Sequence, residues 1–166
     1  MRNFGVWALV LASSCSKAPR PSINVEGLGS HPGVRLIEDY VLGDIAGGRL
    51  RHDRWFANAV IWEDEPAYDQ FFVVRGVDLT PLSGDSSSAR VQVAYERLGS
   101  ITNTAPDSFT FEANQTPDVT VFTAVLTDNG WRIAAPQQPF RVRADTLLKM
   151  PRLTAGGKAR LSALQH

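Results

Sequence analysis

Apolar residues first recur at helical spacing. Val34, Ile37, Val41 and Ile45 form one stripe, with Leu36 and Tyr40 widening it, and Glu38, Asp39 and Asp44 fall outside it. Ser30-His31-Pro32 predicts the helix start, with Ser30 as cap and proline in the first turn. Gly47-Gly48 ends the helix. A shorter helix is expected from Leu50 to Ile61, carrying Trp55, Phe56 and Val60, with Arg49, Arg51, His52 and Arg54 on its wet or ligand-facing side.

Beyond Pro66 the period changes to two. Phe71, Val73, Val77 and Leu79 predict one face of a strand, interrupted by Arg75, while Phe72 and Val74 take the other face. Pro81 to Ser88 reads as a loop. Val91, Val93 and Tyr95 alternate with Arg90, Gln92 and Glu96. Phe109 and Phe111 open another strand, and Val119, Val121 and Val125 alternate with Phe122, Ala124 and Leu126. Asp128-Asn129-Gly130 is a hairpin turn in which both central residues tolerate positive φ, and Trp131-Arg132-Ile133 is the returning strand. Ala144 to Met150 holds a helical turn or two. The expected class is α+β: two N-terminal helices packed on a curved antiparallel sheet of about four strands. One domain spans residues 30–150, and 151–166 is a tail expected to fray.

The amino terminus has its own pattern. Arg2 is a short positive region, Phe4 to Ala12 is apolar, and Ser13-Ser14 precede the single cysteine, Cys15. A charged start, a short apolar run and small residues define an export signal. This segment resembles a bacterial lipoprotein signal, in which the cysteine is lipidated and becomes the mature amino terminus. The resemblance implies a signal peptide over 1–14, lipidation at Cys15 and attachment to a membrane through that lipid. Residues 15–29, with Pro19 and Pro21, then form a tether. Export places the chain where a free thiol is a liability, which a thioether at Cys15 removes. Ser16 stands where enteric inner-membrane lipoproteins carry aspartate. In a Gram-negative host the resemblance therefore implies the outer membrane, facing the periplasm.

Composition narrows the partners. The chain has 166 residues, with 17 basic and 17 acidic side chains. Zero net charge removes the electrostatic argument for nucleic acid. One cysteine and three histidines offer no zinc-type spacing. No metal or cofactor is expected. No nucleophile elbow, phosphate loop, His-Glu-x-x-His or dinucleotide glycine motif is present.

The element order, together with the hairpin Thr127 to Ile133, resembles the NTF2-like (SnoaL-like) cone fold over about Val34 to Ala135. Members of that superfamily are enzymes, ligand binders, transport adaptors and lipoproteins, and many dimerise through the sheet. The resemblance therefore implies a cone with helices on one face and permits a homodimer, without choosing a function.

Three features carry candidate chemistry. Trp62 to Asp69 holds three successive acids between aromatics that could bind a cation or a basic partner, and its plainer reading is a solvated turn with Trp62 and Tyr68 as anchors. His52 with Asp39 or Asp44 would make a proton-transfer pair if one cavity held them. Arg75, if it pointed into a concave face, would clamp a ligand carboxylate or need a partner, which Glu96, Asp39 or Asp44 could supply. With Tyr40, the candidate ligand-binding set is Arg75, His52, Asp39 and Tyr40. The expected function is a lipid-anchored envelope protein that binds a small apolar or acidic ligand, or acts as an accessory in protein contacts. The alternative is an NTF2-like enzyme of isomerase or hydrolase type with an acid or base in the cone.

Overall fold

A computed structural model describes residues 29–105 and 108–165. The signal, Cys15 and the tether lie outside the described residues. Four helices and six strands follow in the order α1 (Pro32–Ile45), α2 (Arg54–Ala59), β1 (Gln70–Gly84), β2 (Ser88–Ala105), β3 (Ser108–Ala113), β4 (Asp118–Thr127), β5 (Gly130–Ala135), β6 (Arg141–Arg143), α3 (Ala144–Leu148) and α4 (Ala155–Ala163). The molecule is α+β, with a curled, half-barrel mixed sheet and few helices.

The sheet has six strands where about four were expected, in the order β5-β4-β2-β1-β6, with β3 also on β2. The strand without any sequence expectation is β6. β6 is only three residues long, and it runs parallel to Phe72–Val74 of β1, so the sheet is mixed rather than antiparallel. β2 is long enough to serve two partners: Ser88–Tyr95 pairs with β4, and its carboxy-terminal part pairs with β3.

Two hydrophobic cores flank the sheet. The first joins Val34, Ile37, Tyr40 and Val41 of α1 and Phe56 of α2 to Val91, Val93, Phe122 and Ile133. The second joins Leu147, Leu153 and Leu161 to Phe71, Val73, Leu98, Ile101 and Phe111. β1 supplies both, because its alternation breaks. Val73 pairs with Gly99 but Val74 with Arg97, so β2 carries an extra residue there. Val77 then pairs with Tyr95, so β1 carries the next extra residue. A bulge reverses which face a given parity occupies. Phe71 and Val73 therefore face the second core, whereas Val74, Val77 and Leu79 face the first. The single face expected for Phe71, Val73, Val77 and Leu79 is divided between two layers.

Local chemistry explains most boundaries. His31, not Ser30, caps α1: its Nδ1 accepts from Gly33 N at 3.2 Å. Pro32 occupies the first helical position, where its missing N–H costs nothing. Gly47, at φ +83°, leads the chain out of α1. The expected second helix is divided. A 3-10 turn at Arg49–Arg51 ends in His52 at φ 57°, and Asp53 then caps α2 by accepting from Trp55 N at 3.1 Å.

The expected loop from Pro81 shrinks to a tight turn at 85–87. Asp85 Oδ1 accepts from Ser87 N at 2.7 Å and Ser88 N at 2.8 Å. These bonds, that from Ser87 N first, hold the Asp85 carboxyl down at about 2. Pro81 sits in β1 where only β2 is paired, so its missing N–H breaks no ladder. At the β4–β5 hairpin only Gly130 takes positive φ, at +91°; Asp128 and Asn129 do not. The segment after Pro151 is not a frayed tail. Thr154 Oγ1 accepts from Gly157 N at 3.1 Å to cap α4, and Leu153 and Leu161 are buried.

Candidate functional site

The least expected residues are charged ones inside the protein. Asp44 lies outside the apolar stripe of α1 and Arg49 is expected on a wet or ligand-facing side, yet both are buried. Asp44 leaves the last turn of α1 facing β6, where its Oδ2 accepts from Arg141 N at 3.1 Å and from Arg49 Nη1 at 3.4 Å. Arg49 also donates to Glu65 and, at 3.0 Å, to Gln138 O. Its guanidinium carbon lies 5.1 Å from the centroid of Phe140 and 5.7 Å from that of Tyr40.

Arg141 continues the network. It grips Asp118 through Nε at 2.9 Å and Nη2 at 3.0 Å, a two-pronged pair, and its guanidinium carbon lies 4.1 Å from the Tyr95 centroid. Burial pushes the Asp44 carboxyl up to about 6, against the opposing pull of Arg49. Burial likewise pushes the Tyr40 and Tyr95 phenols above their ordinary range. These groups hold one another, though Asp44 Oδ1, Arg49 Nε and Gln138 Nε2 are buried without a partner, and the arrangement ties α1, the turn at Arg49, β4 and β6 together. Glu65, from the acidic run expected to be solvated, closes the network on the outer side.

The first core packs α1 and α2 against the sheet, and two openings lie beside α2. One, of about 240 Å³, is lined by Phe56, Ala57, Val60 and Trp62 with His52, Arg54 and Glu63. Another, of about 370 Å³, lies against Asp39, Gly43, Arg51 and Trp55. Asp53 and Phe56 border both, so α2 stands between them. The Phe56 ring seats on Gly48, where a Cβ would come within 2.4 Å of it. Trp55, 40% exposed, packs edge-on against Phe56 with centroids 5.0 Å apart.

The candidate residues therefore separate. His52 borders the first opening and Asp39 the second, both exposed, and Asp44 is sealed away from both. Tyr40 is buried in the first core. Arg75 points outward: it is exposed, pairs with Glu96 and gives Nη2 to Leu164 O at 2.7 Å. Asp118, Arg141 and Gln138 were not singled out. Arg141 opens a three-residue strand too short for a pattern, and Asp118 opens an alternating strand as an ordinary polar residue would. Cys15 lies outside the described residues. Among the described residues no three His, Cys, Asp or Glu side chains group as a metal would need, and no helix is long and apolar enough to cross a membrane.

Comparison of the chain with protein-family models, with curated proteins and with solved structures returns no significant match.

Proposed function

We propose that this chain is a lipid-anchored bacterial envelope protein with an accessory binding role, acting through the surface around α2. The observation that carries the binding role is the exposed Trp55 beside two openings that share Phe56 and Asp53. Aromatic side chains flanked by polar groups are what binding surfaces use. Leu42 and Ile61, 50% and 51% exposed on neighbouring segments, add apolar area. The tightly buried first core beneath α1 and α2 favours this surface over an internal ligand chamber.

Acid–base catalysis has less support, because His52 and Asp39 border different openings and Asp44 is buried, lines neither and gives its Oδ2 to Arg49 and Arg141. The NTF2-like cone belongs to the same proposal, supported by α1 lying on a curled sheet with the Asp128–Gly130 hairpin at one edge. Val119, 58% exposed on β4, supports pairing with a second copy there. The anchor rests on the apolar run, Ser13-Ser14 and the lone Cys15.

Two measurements in one bacterial expression strain test this. Intact mass of the wild type is expected to show a chain beginning at Cys15 with a lipid-sized gain, absent in Cys15→Ser. A photo-crosslinking residue at position 55 is expected to give a discrete adduct in the envelope fraction, and the same residue at position 90 none. An unlipidated chain would sink the anchor; equal crosslinking from 55 and 90 would sink the α2 surface.

A further inference from the structure

We infer that the opening at the β2 bulge is an anion site that takes a small carboxylate on Arg97. Two arginines, Arg75 and Arg97, line it together with one carboxylate, Glu96, and Arg141 packs nearby on the Tyr95 ring. Arg141 is committed to Asp118, and Arg75 to Glu96 and Leu164 O. Arg97 lies over the Phe72 ring, its guanidinium carbon 3.9 Å from the centroid. Among the described residues it has no carboxylate partner, and its Nε is buried without an acceptor. In the lining, two guanidinium groups thus face one carboxylate, which Arg75 takes, leaving one positive charge unanswered.

The backbone explains why Arg97 stands apart. The extra residue in β2 at Leu98 and the compensating one in β1 break the alternation on either side of it. Arg97 is thereby turned over Phe72, beside an opening of about 330 Å³ lined by Arg75, Tyr95, Gln115, Thr116 and Pro117. A partly desolvated cation without an acceptor is costly, and an anion would remove that cost. A guanidinium laid over a ring keeps its in-plane N–H edge free, which matches the two coplanar oxygens of a carboxylate. Gln115 adds an amide donor at the rim, and Tyr95, Leu98 and Pro117 offer apolar contact to the ligand's stem. This site shares no lining residue with the openings at α2, so it stands or falls separately from the surface proposed there.

The test is an amide NMR titration of the full chain with sodium benzoate against sodium chloride at matched ionic strength. Saturable shifts confined to residues 95–98 and 114–117 are expected, with a dissociation constant on the order of 1 mM or tighter. Arg97→Gln is expected to weaken binding at least tenfold, and Arg75→Gln about threefold. Gln115→Ala, at an exposed position, gives a second reading should Arg97→Gln fail to fold, and is expected to weaken binding about threefold. Shifts that do not saturate, shifts that chloride reproduces, or undiminished binding in Arg97→Gln would overturn the site. Inorganic phosphate is the second probe: saturation by phosphate with none by benzoate would overturn the carboxylate assignment.

Discussion

Asp44 Oδ2 lies 3.4 Å from Arg49 Nη1, and both side chains are almost wholly withdrawn from water, at 3% and 2% relative exposure. Five residues apart in sequence, they face each other because α1 ends at Ile45 and the chain reverses through Gly47 before the 3-10 turn. Their pairing fixes where α1 stops and where β6 lies against it.

The raised Asp44 carboxyl gives a pH dependence of definite sign. The folded state holds its proton up to about pH 6, the unfolded state only to about 3.8. Stability from this group is fully present below the unfolded value and is lost as pH rises through about 6. Urea unfolding of wild type and Asp44→Asn from pH 4 to pH 7 reads it. Wild type is expected to lose on the order of 2–3 kcal/mol relative to the variant over that window. Parallel curves would refute the assignment.

Arg49→Met removes one partner and leaves Asp44 buried with only the Arg141 backbone N–H. A cost of about 3–5 kcal/mol is expected at pH 7. Adding Asp44→Asn to Arg49→Met should recover part of it, since the stranded charge goes too. A double-mutant cycle by urea unfolding measures the coupling, and strict additivity would mean that the pair does not act as one.

Gly99 admits no side chain. A Cβ there would lie 2.1 Å from Glu112 O and 2.7 Å from the Phe111 ring. The neighbour is strand backbone, which cannot move aside cheaply, so Gly99→Ala is expected to cost about 3 kcal/mol or more. Hydrogen exchange should quicken first in β3, which pairs with β2 and otherwise makes a single bridge, Phe109 to Leu153. Unchanged protection in β3 would count against this.

α4 contributes to the second core through Leu161, which is fully buried. Leu161→Ala is expected to cost about 2–4 kcal/mol. Limited proteolysis should then cut beyond Pro151 at protease levels that leave wild type intact. A variant as resistant as wild type would return this segment to the frayed tail that its sequence suggested.

Local physics made much of the fold legible. The stripe Val34, Ile37, Val41, Ile45 is buried, because 3.6 residues per turn put those positions on one side of any helix. The alternation Val91, Val93, Tyr95 is buried for the matching reason in strands. The turn at Asp128–Gly130 was visible because glycine takes positive φ without strain. Glu96 was among the partners considered for Arg75, since an arginine in an apolar alternation must find a carboxylate or water.

What the sequence left open are relations between distant segments. No period marks the paired bulges that divide β1 between two cores, because a bulge is defined by register against β2 and not by composition. Asp44 and Arg49 look like ordinary solvated charges until β6, nearly a hundred residues later, closes over Asp44. Arg97 reads as one more alternating polar residue until Arg75 and Arg141 have taken Glu96 and Asp118. Periodicity is a property of one segment and its solvent, so the sequence by itself determined helices, strands and their apolar faces. Which charges are buried and which arginine is left unpaired depends on the long-range packing that removes water, and only the tertiary structure decided that.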